Sequence, residues 1–198
     1  METFLSIAVG IGLAAACGFR IFVPLLMMNL AALSGHLVLP LGFAWMGSTY
    51  ATIAFASATV LEIIGYYVPW FDHVLDTITT PAAVIAGTVT TAAMVTDISP
   101  FLKWTMALIA GGGIAGLVQA STVALRAKSS LTTAGTGNPV FSTLELAGAI
   151  VTGLLAIFVP IVCLLLIVIF CIWVLRKAIR FFLKRVKKTE SSDPIKNR

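Results

Sequence analysis

Ionisable side chains interrupt stretches of this chain that are apolar enough to lie in a lipid bilayer, and one such interruption occurs twice. The segment LEIIG at residues 61–65 returns as LELAG at residues 144–148, which places Glu62 and Glu145 in similar surroundings. A charged side chain at the centre of a bilayer costs roughly 2.5 to 3.5 kcal/mol on insertion scales, so such residues are typical of functional sites. Two similar carboxylate segments indicate two related halves of one chain.

The composition indicates an integral membrane protein. Hydrophobic residues make up 59% of the chain, charged residues only 11%, and the mean hydropathy is +1.04. A soluble domain has about 25% charged residues. We therefore predict one transmembrane domain over residues 1–183, with halves of about 1–98 and 101–183, followed by a basic, polar, cytoplasmic tail over residues 184–198.

The formal net charge of +5 is concentrated near the C-terminus. A basic run can bind nucleic acid, but directly after a long apolar helix it indicates cytoplasmic topology and contact with anionic lipid headgroups. We expect membrane lipids as partners and no nucleic acid. The basic residues are Arg176, Lys177, Arg180, Lys184, Arg185, Lys187 and Lys188.

Hydropathy predicts an all-α, polytopic helix bundle with about six transmembrane helices, since a span needs about 20 apolar residues. The apolar run over residues 140–174 is too long for one ordinary span, so we divide it near residues 158–160, with one long span as the alternative. The predicted spans cover residues 4–33, with a kink at Pro24, then residues 45–68, 81–95 and 101–125, and two helices within residues 140–174.

Three spans in each half make the halves inverted, a 3+3 arrangement typical of secondary transporters with a site at the repeat interface. Six spans also put both termini in the cytoplasm, on the same side as Arg126, Lys128 and the basic tail, as the positive-inside rule favours. Five spans would put Arg126 and Lys128 outside.

Arg20 lies near the middle of the first predicted span and must face protein, water or a carboxylate. It can form a structural ion pair with Glu62 or Glu145, or it can bind an anionic substrate, because a guanidinium group matches carboxylate and phosphate. In either case we expect Arg20 close to one of the two carboxylates. Glu62 and Glu145 can relay protons or coordinate a cation, or they can pair with Arg20 and Arg126 and hold the bundle together.

The segment over residues 126–139 is a candidate anion site. It combines Arg126 and Lys128 with hydroxyl residues, glycines and a predicted helix start, in which Asn138 is the cap and Pro139 lies in the first turn. Helix N-termini of this kind hold phosphate or carboxylate groups. A plain flexible loop is the alternative.

Asp72 and Asp76 are a candidate cation-binding pair, because residues four apart share one face of a helix. They also resemble a fragment of the aspartate motifs of membrane prenyl- and phospho-transferases, but the further acidic motif of those enzymes is missing. A solvated turn between Pro69 and Pro81 is the alternative. We predict no catalytic residues, metal or cofactor.

Glycines at residues 111–116 match the dinucleotide-binding pattern GxGxxG literally but lie inside a predicted span, without a strand before them. Gly112 and Gly116 instead have the spacing that lets transmembrane helices pack closely.

Several segments together resemble a bacterial family of uncharacterised multi-pass membrane proteins, known only as a domain of unknown function. The resemblance covers about residues 5–160 and implies an inner-membrane location without naming a substrate. It rests on GFRIFVPL at residues 18–25, Glu62 followed by Pro69 and Asp72, LR at residues 125–126, TGNPVFS at residues 136–142, and Glu145.

The chain departs from that family pattern at three positions. Tyr66 and Leu146 stand where members often have an acid, and Thr122 stands where a lysine is expected. If those groups serve an ion-coupled activity, this protein has a changed or reduced one.

The leading hypothesis is a small transporter or channel-like carrier for a small, anionic solute, working by alternating access. Its predicted site consists of Arg20, Glu62, Arg126, Asn138 and Glu145. The alternatives are a lipid-binding or structural bundle without transport activity and, least favoured, an enzyme acting on a phosphorylated lipid through Asp72 and Asp76. Formation of a homo-oligomer is compatible with each.

Overall fold

A computed structural model shows an all-α fold, which confirms the predicted class. It describes residues 2–68, 71–96, 98–133 and 137–191. Within these ranges, the side chains of residues 2, 71–73, 133 and 181–191 are not described. The chain divides into two compact units, Met1–Leu164 and Leu165–Arg198. The helices are α1 (Glu2–Cys17), α2 (Phe22–Leu33), a 3-10 helix (Leu41–Gly47), α3 (Thr49–Tyr67), α4 (Phe71–Met94), α5 (Pro100–Met106), a π-helix (Ala107–Gly112), α6 (Gly113–Thr133), α7 (Asn138–Phe158) and α8 (Pro160–Ser191).

Within the described residues, five helical segments are long and apolar enough to cross a membrane. Their outer faces expose large apolar side chains such as Ile53, Ile78 and Leu144. Such a surface suits lipid rather than water, so the chain is a multi-pass membrane protein. The five segments are Thr49–Tyr67, Val74–Met94, Pro100–Thr132, Asn138–Phe158 and Pro160–Arg180.

The first predicted span, residues 4–33, is not one helix but two, and α1 runs antiparallel to α7. The ring of Phe19, just after α1, lies against Gly148, whereas Gly12 lies against Ala156. Moving along α7 from residue 148 to residue 156 therefore means moving backwards along α1.

Helix α2 runs in the opposite direction to α1. Arg20, at the break between α1 and α2, bonds to Ser142, and Met27 of α2 packs on Gly153. At the far end of α7, His36 follows α2 and its ring centroid lies 5.8 Å from that of Phe158. Helices α1 and α2 thus form a helical hairpin (residues 2–33) with its tip at residues 18–21, which enters the bundle and returns to the same end.

The two ends of the bundle can now be named. The Phe158 end is where α7 finishes and the hairpin opens, and the Asn138 end is where α7 begins. Tyr67, at the end of α3, bonds to Thr143, with 2.7 Å between the hydroxyl oxygens. Helix α3 therefore runs antiparallel to α7 and ends at the Asn138 end.

Small residues let the hairpin penetrate the bundle. A Cβ atom on Gly18 would lie 2.5 Å from the backbone oxygen of Ala115 in α6, so the tip approaches α6 too closely for any side chain there. Pro24 lies in the first turn of α2, where its missing N–H has no helical partner to lose. The predicted kink at Pro24 is therefore wrong, since the break precedes that residue.

The described residues contain five candidate spans and a hairpin, where the sequence predicted about six spans. The halves are equivalent in one respect, because α3 and α7 carry the two glutamates in opposite directions. They differ in their first element, which is the hairpin in one half and the long helix Pro100–Thr132 in the other. The cytoplasmic location of both termini stays a prediction.

The division of the last apolar run is confirmed. Val159 has φ −138° and ψ 59°, which are not helical, and Pro160 opens the next helix. The Sγ atom of Cys163 lies 3.6 Å from the backbone oxygen of Thr152, eleven residues earlier. The first turn of α8 therefore folds back along α7 without any polar turn residue.

Two further boundaries differ from the sequence expectation. Helix α4 begins at Phe71, so the predicted interfacial turn before Pro81 is largely helical. Helix α6 continues to Thr133, so most of the predicted loop after Arg126 is helical too, and residues 134–136 lie outside the described part. In each of these stretches a charged residue is buried in the bundle, Asp76 in α4 and Arg126 in α6.

Close packing of α4 on the long helix Pro100–Thr132 follows the glycines singled out above. Gly112 lies against Thr88 and Val84, and Gly116 lies against Val84. This confirms their role in helix packing. The π-helix occupies the same segment, and such insertions are frequent at functional sites.

The second unit, Leu165–Arg198, is described as far as Ser191 and consists of the rest of α8. Its apolar surface ends in a basic segment, where Nζ of Lys177 lies 4.8 Å from the ring centroid of Trp173. The lipid-binding role of the basic tail stays a prediction, because the side chains beyond Arg180 lie outside the described residues.

Candidate intramembrane charge site

Five charged side chains meet where the hairpin tip reaches α3, α4, α6 and α7. We refer to these residues as the charge cluster. All five are buried, with exposed fractions between 1% and 8%. They come from five different segments of the chain and are Arg20, Glu62, Asp76, Arg126 and Glu145.

Arg126 connects α4 to α7. Its Nη1 donates to Oδ1 of Asp76 at 2.7 Å, and its Nη2 donates to Oε2 of Glu145. Two carboxylates therefore share one guanidinium group. Removing one partner of a buried ion pair typically costs about 3 to 5 kcal/mol, because the other charge stays buried.

Arg20 lies at the hairpin tip and binds the first turns of α7. Its Nη2 donates to the backbone oxygen of Ser142 at 3.1 Å and to the hydroxyl oxygen of Ser142 at 2.5 Å. The same nitrogen lies 3.7 Å from Oε2 of Glu145. The expected proximity of Arg20 to a membrane carboxylate is confirmed, with Glu145 as that carboxylate.

Glu62 holds the hairpin tip through the backbone rather than through an arginine. Its Oε1 accepts from the N–H of Ile21 at 2.8 Å, and its Oε2 accepts from the N–H of Phe22 at 3.1 Å. These N–H groups begin α2, where the helix dipole favours a negative charge. Among the described residues, Glu62 has no cation within 4.0 Å, so the sequence hypothesis that it pairs with an arginine is wrong.

Tyr66 separates the two arginines. The Cζ atom of Arg20 lies 3.8 Å from the ring centroid of Tyr66, and that of Arg126 lies 4.4 Å from it. A desolvated cation on an aromatic face contributes about 2 kcal/mol. The hydroxyl group also donates to Oδ1 of Asp76 at 3.3 Å and lies 3.0 Å from Oγ1 of Thr79.

Sequence reasoning missed Tyr66 as a site residue. The available signal was its position four residues after Glu62, which puts both side chains on one face of α3. It also missed that Asp76 turns inward: Asp76, Thr79 and Thr90 follow a helical period on the buried face of α4.

The predicted aspartate pair is only partly described. Asp76 is 8% exposed and forms an ion pair with Arg126, so the solvated-turn alternative is wrong for this residue. The side chain of Asp72 lies outside the described residues. Cation binding by the two aspartates together stays a prediction.

Asn138 does not cap α7, contrary to the sequence expectation. It is already the first helical residue, and Gly137 precedes it with φ −80° and ψ −13°. The Oδ1 atom of Asn138 accepts from the hydroxyl group of Ser130 at 3.1 Å. Asn138 therefore joins the start of α7 to α6, while Pro139 occupies the first turn as predicted.

The charge cluster contains three carboxylates and only two guanidinium groups, and part of its bonding capacity is unused. Within the part of the chain that the structure describes, Nε and Nη1 of Arg20, Nε of Arg126 and Oε1 of Glu145 have no hydrogen-bond partner. Buried polar atoms are nearly always paired. The arrangement can therefore accept an oxyanion on Arg20 and a proton on a carboxylate.

A family model described as "Domain of unknown function (DUF4126)" matches residues 7–180, which include the whole charge cluster. The chain belongs to this family. The comparison with curated proteins and the comparison with solved structures find no match. The DUF4126 description carries no activity, so the chemistry of the site has to be argued from its geometry.

Proposed function

We propose that this DUF4126 protein is a small carrier that moves an anionic solute together with a proton. The observation that carries the proposal is the buried charge cluster, in which two arginines and three carboxylates meet at the tip of a membrane-inserted hairpin. Intramembrane ionisable residues of this kind are typical of substrate and proton pathways.

The anion is expected to bind Arg20. Its Nε and Nη1 donors have no partner among the described residues, and a guanidinium group offers two parallel donors to a carboxylate or phosphate. Glu145, 3.7 Å from Arg20, is the carboxylate whose negative charge such an anion would oppose.

Charge balance supports coupling to a proton. The charge cluster already has one more acidic group than basic groups, so a bound anion increases the negative excess in a medium of low dielectric constant. Uptake of one proton by a carboxylate offsets it. Anion and proton are therefore expected to bind together and to cross the membrane in the same direction.

The hairpin supports alternating access. Non-helical backbone inside a membrane is tolerated where it is buried in protein or lines a cavity, and broken helices of this type form the sites of many transporters. Protonation of Glu62 would weaken its bonds to the N–H groups of Ile21 and Phe22, which links proton uptake to movement of the tip. Through the positive-inside rule, the exposed Lys128 supports a cytoplasmic Asn138 end, with the bacterial inner membrane as the location.

Proton flux in liposomes tests this function. The purified protein is reconstituted with a pH-sensitive dye inside, and phosphate, gluconate or succinate is added outside. We expect at least one anion to acidify the interior, with no signal from protein-free liposomes. Arg20→Gln should abolish the signal, whereas Lys103→Gln, which removes a cation outside the charge cluster, should retain it. An absence of proton flux with all three anions contradicts the proposal for these anion classes.

A structural bundle without transport is the second candidate, favoured by the two ion pairs that Arg126 already makes. In that case the charges hold the helices in register. Arg20→Gln then lowers the stability of the protein without changing any flux.

A further inference from the structure

The two ends of the bundle differ in access to the charge cluster. On the Phe158 side the inner face of α1 is closely packed, with Ala8, Leu13, Ala14 and Cys17 each 0% exposed. Densely packed small side chains leave no room for water. This packing supports a bundle that is closed on the Phe158 side of the charge cluster.

A groove opens on the other side of the charge cluster, between α4 and α6. Its volume is about 310 Å³, and it is lined by Asp76, Thr77, Thr80, Val123 and Ala127. Asp76 belongs both to this groove and to the charge cluster, where its Oδ1 binds Arg126. Through Asp76 the groove reaches the ion pairs directly.

The face of α4 that lines the groove carries polar side chains, whereas the other exposed faces of this helix are apolar. Thr77 and Thr80 are exposed in the groove, while Val74, Ile78 and Ile85 are exposed on the remaining surface of the same span. The Thr80 hydroxyl donates to the backbone oxygen of Asp76 at 2.7 Å, which leaves its oxygen as an acceptor for water. A cavity of this volume holds several water molecules, each of which occupies about 30 Å³ in the liquid.

We propose that this groove is a water-filled entrance through which protons reach Asp76, and that the structure is open at the groove and closed at the Phe158 end. A hydronium ion in the groove transfers its proton to the carboxylate of Asp76, leaving a water molecule and a neutral acid. Arg126 then keeps Glu145 as its ionised partner. This proposal deepens the proposed function by naming the proton route. The groove itself does not depend on the proposed function, but its use as a proton route for the carrier rests on it.

Cysteine accessibility tests the entrance without any transport assay. Thr80→Cys and Ile78→Cys are compared in a full-length chain that also carries Cys171→Ala, which removes the half-buried native thiol. Both proteins are reconstituted in liposomes and treated with two membrane-impermeant methanethiosulfonates, one carrying a trimethylammonium group and one a sulfonate group. We expect the Thr80→Cys variant to be labelled at least about tenfold faster than the Ile78→Cys variant, because thiolate formation needs water.

The negative charge of Asp76 should also select between the two reagents. They differ by two charges, so once each rate is divided by the rate of the same reagent with free cysteine, the cationic one should react about tenfold faster than the anionic one at Thr80→Cys. Asp76→Asn should remove this preference. If Asp76→Asn does not fold, Ala127→Lys brings a positive charge to the groove wall instead and should reverse it.

Equal labelling rates at positions 78 and 80 overturn the entrance, because both side chains would then lie in lipid. A fast reaction at position 80 without reagent preference overturns the role of Asp76. The two proposals fail separately. If the groove cysteine is labelled but no anion drives proton flux, the entrance is supported and the carrier is contradicted. If an anion drives proton flux but the groove cysteine is not labelled, the carrier is supported and the entrance is contradicted.

Discussion

Glu62 and Glu145 occupy the same position in two similar pentapeptides, yet they bind different kinds of partner. Glu62 accepts two backbone N–H groups at the hairpin tip. Glu145 binds Arg126 and lies near Arg20. The first carboxylate therefore fixes a piece of backbone inside the membrane, and the second neutralises side-chain cations.

The difference shows that a repeated carboxylate does not imply a repeated role. Helices α3 and α7 present their glutamates from opposite directions to one site, but the element that meets each glutamate is different. A broken helix offers unpaired N–H groups, whereas intact α6 offers only the side chain of Arg126. The partner of each glutamate follows from the backbone opposite it.

The largest expected effect concerns topology, because each terminus lies either on one side of the membrane or on the other. If the hairpin returns to its side of entry, the chain crosses the membrane five times and its termini lie on opposite sides. Reporter fusions before residue 1 and after Arg198 measure this directly. Two termini on the same side would mean that residues 2–33 cross the membrane, and the hairpin would be wrong.

Substitution of Glu145 should lower the stability more than substitution of Glu62. Glu145→Gln removes the carboxylate that lies within 4.0 Å of Arg20 and leaves Arg126 paired with Asp76 alone, so we expect a loss of roughly 3 to 5 kcal/mol in the free energy of unfolding. Unfolding in mixed detergent micelles, followed by circular dichroism, measures it.

Glu62→Gln is the matched comparison for this loss. Its amide keeps one acceptor oxygen for the N–H groups of Ile21 and Phe22, so the loss should be about 1.5 to 3 kcal/mol, one hydrogen bond to a charged group. If the protein is the proposed carrier, Glu62→Gln and Glu145→Gln should both also lose proton-coupled uptake. Equal losses of stability would contradict the different roles of the two glutamates.

The smallest expected effect comes from Tyr66→Phe. The ring stays between Arg20 and Arg126, and only the hydroxyl bonds to Asp76 and Thr79 are lost. Because the bond to Asp76 is long at 3.3 Å and therefore weak, unfolding should become easier by about 1 kcal/mol. Tyr66→Leu also removes both cation–aromatic contacts, each about 2 kcal/mol when desolvated. Equal melting temperatures for the two variants would show that the ring does not stabilise the arginines.

Much of the fold follows from local sequence. Spans α3 and α7 and the division at Pro160 are visible because hydropathy and proline act within one segment. The proximity of Arg20 to a carboxylate was also predictable, because the free-energy cost of an unpaired guanidinium group in a membrane leaves few alternatives.

The rest of the site depends on neighbours that are distant in sequence. Asp76 looks like part of a polar turn until Arg126, fifty residues later, gives it a buried partner. Asn138 looks like a cap until Ser130 of the preceding helix binds it. Local patterns do not contain these partners, so the inward direction of Asp76 and the displaced start of α7 were not predictable.

The amino-acid sequence by itself determined that this chain forms a helix bundle in a membrane and that its intramembrane charged side chains must lie close together. Only the tertiary structure decided that residues 2–33 turn back at residues 18–21 instead of forming one long helix. An apolar run of that length satisfies either arrangement, and its backbone can break at residues 18–21 only if the freed N–H groups find an acceptor. That acceptor is Glu62, about forty residues away in the chain.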